Sequence, residues 1–439
     1  MIPPTSPTDR KKLTGEITLP KESLDALTAG PFASSDVGAL FEKAGGDLTL
    51  LTEALFSSAI SLEASDVHLE PEELRLKIRY RLDGLLQDVA LLDRAKYEKL
   101  VSRLKLSAGI KLNIHDRPQD GRFSVRVGSD ALFEVRVSTL PSEYGETIVM
   151  RILNPRHLLS LDDLALEDGT RSLFRKELKK STGMIVVTGP TGSGKTTTLY
   201  AFVQEAFNPE LKIVTIEDPI EYHIDGVSQT QTHPEKGYDF ASGLRAIVRQ
   251  DPDVILVGEI RDGETAHIAL QAALTGHLVF STLHTNDAAG TIARFQSLGA
   301  EINTIAAALN IIIAQRLVRR VCPRCSTQRP ATKEERALIE SALSSLRKDA
   351  SCKIPDPLVI PKAGRCAFCN MTGYKGRAGL YETLEVTDEM ERFLLTNPST
   401  SALKAKAIKE GMITMFQDGI CKVVKQITTL EEVDRVTEE

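Results

Sequence analysis

The chain has 439 residues, of which 42% are hydrophobic and 26% are charged, and its formal net charge is −6. This composition is typical of a water-soluble protein with about two to four domains. The acidic balance disfavours recruitment to nucleic acid or anionic lipid by a general basic field. No apolar run in the sequence approaches the roughly 18–20 residues that span a bilayer, and the first residues lack the apolar core of a signal peptide. We therefore expect a cytoplasmic protein without a transmembrane segment.

The first part of the chain predicts a leader followed by a small domain. Residues 1 to about 34 are rich in Pro, Ser, Thr and Gly, which favours a flexible leader with one short helix, over residues 1–45. From residue 46 the leucines have helical spacing, and apolar and polar residues then alternate on both sides of Asp83-Gly84, as in a strand–turn–strand unit. A helix near residues 94–108 and two more strands follow. Residues 46–155 are therefore predicted to form a small α+β domain.

Residues 160–320 predict a second domain in which helices alternate with short apolar strands. The strand candidates are Met184–Val187, Lys212–Ile216, Val254–Val257 and His277–Ser281. This alternation is typical of an α/β domain whose parallel sheet is covered by helices on both faces. In such sheets the active residues gather at the carboxyl ends of the strands.

The first of these strands leads into a glycine-rich turn with the pattern G-x-x-x-x-G-K-[ST]. Glycines permit a tight turn whose backbone N–H groups face phosphate oxygens, and the next helix adds its positive N-terminus. Lys195 would reach the β- and γ-phosphates of ATP, and the Thr196 hydroxyl would ligate Mg²⁺. The predicted nucleotide-binding residues are Gly189, Pro190, Thr191, Gly192, Ser193, Gly194, Lys195, Thr196 and Thr197.

Polar residues also follow the other strands. Glu217 ends a strand beside the P-loop, where a carboxylate can polarise water or hold Mg²⁺ through water; a solvated loop is the alternative. Gly258 stands where many P-loop enzymes have a Mg²⁺-binding Asp, which leaves Glu259 as the candidate to activate the attacking water. His284, among polar residues at a strand end, is better explained as a γ-phosphate sensor than as a structural histidine.

Four of the six cysteines form two C-x-x-C pairs, Cys322 with Cys325 and Cys366 with Cys369. In a cytoplasmic protein this spacing favours metal over disulfides, and four thiolates are a tetrahedral Zn²⁺ ligand set. Four free cysteines or a nucleic-acid-binding ribbon remain the alternatives. We predict a zinc module over residues 321–380, with a helical insertion near residues 333–348, and a C-terminal helical region over residues 381–439.

Six motifs together resemble the ATPases that drive type II secretion and type IV pilus assembly. They are A-S-D-V-H-L-E-P from Ala64, the P-loop, I-E-D-P-I-E-Y from Ile216, R-Q-D-P-D from Arg249, G-E-I-R-D from Gly258 and S-T-L-H-T-N-D from Ser281. The resemblance covers about residues 47–439. It implies a PAS-like domain over residues 46–155, a RecA-like ATPase domain over residues 160–320, and homohexameric rings.

The resemblance also implies roles for particular residues. Lys195 and Thr196 would bind nucleotide and Mg²⁺. The family's Asp box would be Glu217 to Glu221, its Walker B glutamate would be Glu259, and its His box would contain His284. Arginines of the N-terminal domain would complete the ATP site, with a solvated strand face as the alternative for each. The candidates are Arg79, Arg81, Arg122 and Arg136.

The tetracysteine element resembles the assembly and secretion branch, because the retraction motors of this family lack it. The resemblance thus implies a cytoplasmic ATPase, peripheral to the inner membrane, that acts on an inner-membrane platform protein and docks on a further cytoplasmic protein. No cyclic dinucleotide site and no direct nucleic-acid contact are expected. The first alternative, a RecA-like nucleic-acid translocase, is disfavoured by the acidic charge and the absence of Trp. A scaffold that binds nucleotide without hydrolysis is the second.

Overall fold

A computed structural model describes residues 15–28, 32–128, 131–154, 158–344, 346 and 352–437. The start of the predicted leader and the last residues of the predicted helical insertion lie outside the described residues. The chain divides into two compact units. The first unit comprises the residues up to 157 with Cys322–Cys325 and Gly364–Lys375, and the second comprises Leu158–Val321, Ser326–Ala363 and Gly376–Glu439.

The first unit is built on a seven-stranded sheet. Its strands are β1 (Glu16–Leu19), β2 (Asp66–Pro71), β3 (Arg75–Leu82), β4 (Leu85–Asp93), β5 (Gln119–Val127), β6 (Ala131–Ser142) and β7 (Gly145–Leu153). Their spatial order is β1-β5-β6-β7-β2-β3-β4, with β1 parallel to β5 and the other neighbouring pairs antiparallel. Burial alternates along β3, where Ile78 and Tyr80 are buried, so the sheet has one apolar and one polar face.

Four helices belong to this unit, and they contribute to a core on the apolar face of the sheet. They are α1 (Lys21–Thr28), α2 (Val37–Ala44), α3 (Leu48–Ser61) and α4 (Arg94–Ser107). Asp47 is the N-cap of helix α3, and its carboxylate accepts hydrogen bonds from the N–H groups of Thr49 and Leu50 at 2.7 and 3.1 Å. Its Phe56 ring meets the Phe123 ring of β5 edge-on, with centroids 5.5 Å apart. These contacts fix the helical layer on the sheet.

The beginning of the described chain differs from the predicted leader. Residues 16–44 contain β1, α1 and α2 instead of a flexible segment. Ile17 and Leu19 are buried and alternate with exposed Glu16 and Thr18, and the strand pairs with β5. Four residues are too few for periodicity to reveal a strand, because it is the pairing with a distant strand that stabilises it.

The second unit contains the predicted parallel sheet and a separate two-stranded ribbon. Its strands are β8 (Gly183–Thr188), β9 (Ile213–Glu217), β10 (Ser228–Gln231), β11 (Val254–Val257), β12 (Leu278–Leu283), β13 (Leu309–Val321), β14 (Thr327–Pro330), β15 (Val359–Lys362) and β16 (Tyr374–Glu385). The large sheet has the order β10-β9-β11-β12-β8-β13-β16, and the pairs from β10 to β13 are parallel. Strands β14 and β15 form the antiparallel ribbon.

The helices of the second unit cover both faces of the large sheet. They are α5 (Asp168–Glu177), α6 (Lys195–Ala206), α7 (Phe240–Val248), α8 (Gly263–Leu274), α9 (Gly290–Ser297), α10 (Ile302–Ala308), α11 (Lys333–Leu343), α12 (Asp388–Leu394), α13 (Thr400–Glu410), α14 (Met415–Val424) and α15 (Leu430–Thr437). Along β8, Met184 and Val186 enter one core cluster, whereas Ile185 and Val187 enter another. The α/β fold class is confirmed.

The region between the two cysteine pairs belongs to the second unit, whereas both pairs belong to the first. The predicted insertion helix is α11, whose N-cap Thr332 exchanges hydrogen bonds with Glu335 in a capping box. It packs with α14 and the β14–β15 ribbon around Ile339, Ile360 and Ile420. The residues of the predicted zinc module are therefore divided between the units, with its knuckles in the first and its insertion in the second.

No helix in the described ranges is both long and apolar enough to cross a bilayer. The longest of them, α3 and α4, have 14 residues each, and a spanning helix needs about 20.

Candidate active site

The P-loop joins β8 to α6 in the second unit. Gly189, Gly192 and Gly194 have φ angles of 147°, 79° and 89°, in the region that favours glycine. A Cβ atom at Gly189 would lie 2.4 Å from the backbone oxygen of Gln315 on β13. Both the backbone conformation and the close neighbour therefore require glycine here, and the loop curls into the cradle that the sequence predicts.

Lys195 begins α6 and its side chain turns back over this loop. Its Nζ donates to the carbonyl oxygens of Gly189 and Pro190 at 2.7 and 3.1 Å. Burial lowers the pKa of Lys195 to about 8, although the charge of Glu259 opposes that shift. The Ser193 hydroxyl is also buried and makes no hydrogen bond to the described part of the chain. A buried ammonium and a buried hydroxyl in a glycine cradle fit the phosphate chain of a nucleotide.

Glu259 follows β11 and lies beside the lysine and the histidine that the sequence singles out. One of its carboxylate oxygens is 2.5 Å from Arg261 and the other is 3.6 Å from Nε2 of His284. The Glu259 side chain retains 16% of its exposure, so water can reach it. Burial, and then the charge of Lys195, hold the pKa of His284 below its ordinary value. This end of the sheet therefore places a carboxylate and a largely neutral imidazole near the cradle.

Glu217, at the end of β9, has different surroundings. Its carboxylate accepts hydrogen bonds from the Thr215 hydroxyl at 2.5 Å, the Gln229 amide at 3.2 Å and the Tyr200 hydroxyl on α6. Burial raises the pKa of Glu217. The side chain thus links β9 to the helix that follows the P-loop. A catalytic role for Glu217 stays a prediction, whereas the geometry favours Glu259 for contact with water.

The predicted arginines lie on the polar face of the sheet in the first unit. Arg122 on β5 pairs with Arg136 on β6, and Arg136 pairs with Arg151 on β7. Asp66 on β2 continues the row, followed by Arg81 on β3. The Asp66 carboxylate lies 3.0 Å from Nε of Arg151 and 3.3 Å from Nε of Arg81. The sheet therefore lines up four arginines and one carboxylate, which we call the arginine row.

Arg79 lies on the same face of the sheet, on β3 two residues before Arg81 and outside this row. Its guanidinium is 3.0 Å from the carboxylate of Asp88 and 3.4 Å from that of Glu70. Two carboxylates therefore contact Arg79.

The four paired cysteines of the first unit come together as predicted. Their Sγ atoms all lie within 4.8 Å of one another. The separations are 3.8 Å for Cys322 and Cys366, 3.7 Å for Cys325 and Cys369, and 3.7 Å for Cys366 and Cys369. Tetrahedral Zn²⁺ with Zn–S bonds of about 2.3 Å requires sulfur separations of about 3.8 Å. The backbone N–H of Gly373 donates to Sγ of Cys369 at 3.2 Å, which supports a thiolate there. The donor set fits zinc.

The cysteine knuckles are anchored within their own unit by two polar contacts. The Asn370 side-chain oxygen accepts the Ser34 N–H at 2.9 Å, and Lys375 lies 2.8 Å from Glu63. The knuckles are thus attached to the layer that contains α2 and α3.

A family model described as "Type II/IV secretion system protein" matches residues 43–435. The chain belongs to this family. It is 46% identical over 392 residues to the type II secretion system ATPase E of Vibrio cholerae, covering 89% of this chain and 75% of that protein. It is 40% identical over 385 residues to the type IV pilus assembly ATPase PilB of Myxococcus xanthus, covering 87% of this chain and 66% of that protein.

Two solved structures support the membership at the level of the fold. The pilus retraction motor PilT with bound ADP is 26% identical, with a TM-score of 0.57 over 90% of this chain and 97% of that one. The ATPase DotB of Legionella pneumophila is 22% identical, with a TM-score of 0.65 over 88% and 95% of the two chains. As a member of the type II/IV secretion family, the protein is a P-loop enzyme that hydrolyses ATP.

Sequence reasoning on this secretion ATPase missed two residues that the structure places beside the predicted ones. Arg151 completes the arginine row. It lies opposite Arg136 on β7, a strand that the sequence did not predict. Gln315 lies under the P-loop on β13, far along the chain from the motif. Both depend on strand pairing between distant segments, which no local pattern encodes.

Proposed function

We propose that this secretion ATPase is a cytoplasmic motor that powers assembly of a type IV pilus or of a type II secretion pseudopilus. The observation that carries the proposal is the joint placement of Lys195, Glu259 and His284 at one end of the sheet. Relatives named as a type II secretion ATPase and a pilus assembly ATPase, at 46% and 40% identity, support a pilus or pseudopilus as the load that the motor assembles.

The residues of the site divide the chemistry among themselves. Lys195 and the P-loop N–H groups bind the phosphates of ATP. Thr196 lies in the first turn of α6, and its exposed hydroxyl would hold Mg²⁺. Mg²⁺, when bound, neutralises charge on the phosphate oxygens. Glu259 accepts a proton from the attacking water, while Arg261 orients its carboxylate and His284 contacts the γ-phosphate. Hydrolysis then changes the contacts that the phosphates make.

The motor proposal extends to the assembly. Six copies form a ring, ATP turnover rocks one unit against the other, and the ring turns an inner-membrane platform protein. The acidic chain reaches the membrane through that partner and through a cytoplasmic docking protein. The tetracysteine cluster, with Zn²⁺ bound, would serve as a structural staple of the first unit in the assembly branch.

The middle of the arginine row is proposed to complete an ATP site. Arg122, Arg136 and Arg151 stand side by side on adjacent strands, where directly opposed like charges weaken a sheet, so an anion bound there would be stabilised even though Asp66 contacts Arg151 and Glu134 lies 4.0 Å from Arg136. We expect Arg136→Ala to lower the rate of hydrolysis by about 10²-fold or more, because an arginine on the transferring phosphate contributes about 10³–10⁵ in other P-loop enzymes. The melting temperature should stay the same or rise, since two like-charge pairs disappear.

Arg126 provides the matched control for this prediction. It lies on β5, the strand that carries Arg122, and on the same face, but it binds Glu16 through two hydrogen bonds of 2.7 and 2.9 Å. Arg126→Ala should hydrolyse ATP at the wild-type rate. Equal hydrolysis by the two variants in a steady-state phosphate-release assay would remove the arginine row from the reaction.

The load is tested by affinity isolation of Glu259→Gln from detergent-solubilised membranes in the presence of ATP, followed by mass spectrometry. A variant that binds ATP without turning it over should retain its partners. Recovery of an inner-membrane platform protein supports the motor, and the proteins that accompany it distinguish a pilus from a secretion system. Recovery of nucleic acid and its processing enzymes, together with ATPase stimulation by DNA, would replace the motor with the translocase alternative.

A further inference from the structure

Gln315 on β13 packs directly beneath the P-loop. The side chain is 2% exposed. Strand β13 runs parallel to β8 with Ala314 opposite Thr188, which brings Gln315 level with Gly189, the first residue of the loop. Gln315 is therefore a buried amide at the point where the sheet ends and the cradle begins.

Two glycines of the P-loop make room for this residue. A Cβ atom at Gly189 would lie 2.4 Å from the backbone oxygen of Gln315. A Cβ atom at Gly194 would lie 2.8 Å from its side-chain Nε2. The loop thus rests on Gln315 at both of its ends, and any displacement of β13 would move the loop.

The helix after the P-loop fixes the orientation of the Gln315 amide. The Thr198 hydroxyl on α6 donates to Oε1 of Gln315 at 2.8 Å, and both residues are buried. Because the oxygen is used in this bond, the NH₂ group faces Gly194 and the loop. An uncharged donor group, and not a carboxylate, therefore lies next to the turn that receives the phosphates.

From this geometry we propose that Gln315 is a positioning residue for ATP binding, which holds the P-loop and α6 in the phosphate-binding arrangement. The residue acts through Gly189, Gly194 and Thr198 and does not itself touch the nucleotide. The inference concerns nucleotide binding alone, so it stands or fails separately from the load that the motor moves.

The test compares Gln315→Glu with the wild-type full-length chain. The new carboxylate keeps the size of the side chain and still accepts the Thr198 hydroxyl, but it replaces the NH₂ group that faces Gly194 with an oxygen. The variant thus loses the donor that faces the loop and places negative charge beside the phosphate cradle. We expect the Kd for Mg·ATP, measured by calorimetry, to rise about 10- to 100-fold, because the loop loses a contact and a negative charge a few ångströms away repels the triphosphate. The KM for ATP should rise in parallel, with kcat at saturating ATP changed only a few-fold.

Asn310 on the same strand supplies a matched control. Its Nδ2 donates to the Thr182 carbonyl at 3.0 Å, and a Cβ atom at Gly183 would lie 2.3 Å from its Oδ1. Asn310→Asp thus makes the same amide-to-carboxylate change above a glycine, but at the opposite end of β8. It should lower the melting temperature without changing the Kd for Mg·ATP.

Wild-type ATP affinity in a folded Gln315→Glu chain would overturn the inference, as would an equal loss of affinity in Asn310→Asp. If Gln315→Glu does not fold, Thr198→Val probes the same contact from α6, because it keeps the shape and removes the hydroxyl. This second variant should bind Mg·ATP several-fold more weakly, and an unchanged Kd would equally overturn the assignment.

Discussion

Replacement of Glu259 by glutamine should leave ATP bound and almost unhydrolysed. Glutamine keeps the size of the side chain but cannot accept the proton of the attacking water, and loss of a positioned general base costs about 10²–10⁴ in kcat. The carboxylate lies next to Arg261 and 3.6 Å from His284. Single-turnover hydrolysis and the Kd for Mg·ATP, measured on the same preparation, separate chemistry from binding.

Glu205 on α6 provides a control for that experiment. Its carboxylate forms an ion pair of 3.0 Å with Arg175, in which the arginine is largely exposed, and such pairs contribute little to stability. Glu205→Gln should therefore retain the wild-type kcat. Normal turnover by Glu259→Gln would instead remove Glu259 from the catalytic role and return Glu217 to consideration.

Replacing Cys322 and Cys366 by serine should abolish zinc binding and unfold the knuckles. Structural zinc can contribute on the order of 10 kcal/mol in a module with little core of its own, and these two thiols lie 3.8 Å apart in the cluster. We expect one zinc ion per wild-type chain by elemental analysis and none in the double variant. Hydrogen exchange should become faster in residues 322–325 and 364–375, including the anchor at Asn370.

Cys352 distinguishes loss of a ligand from loss of any thiol. It lies outside the four-cysteine cluster and is only partly buried. Cys352→Ser should keep the full zinc content and the wild-type exchange pattern of the knuckles. An unchanged metal content in the Cys322 and Cys366 double variant would refute the zinc assignment.

The parts of the fold that the sequence predicted are those with strong local patterns. The predicted strand Val254–Val257 is β11 with the same ends, and the predicted helix near residues 94–108 corresponds to α4. The P-loop motif predicted its strand, its glycine turn and its helix, because these three elements follow one another in sequence. The C-x-x-C spacing likewise predicted which four cysteines come together.

The features that escaped prediction depend on segments that are distant in sequence. Strand β1 is stabilised by pairing with β5, and the arginine row requires the register of β5, β6 and β7. Glu217 was predicted as a catalytic carboxylate at a strand end, and in the fold Tyr200 and Thr215 donate hydrogen bonds to it. Charge and motif order could nominate these residues, but only the register of the strands could show their partners.

The division of the cysteine knuckles has a consequence for how the protein is made. The first unit needs residues 322–325 and 364–375, which are synthesised after most of the second unit. At about 5–20 residues per second, translation delivers the second cysteine pair tens of seconds after residue 157. All seven strands of the amino-terminal sheet are therefore made long before the four cysteines, and a metal held by those cysteines could enter only late in biogenesis. A gene fragment that ends at residue 157 would encode the sheet and helices of this unit without the four-cysteine cluster.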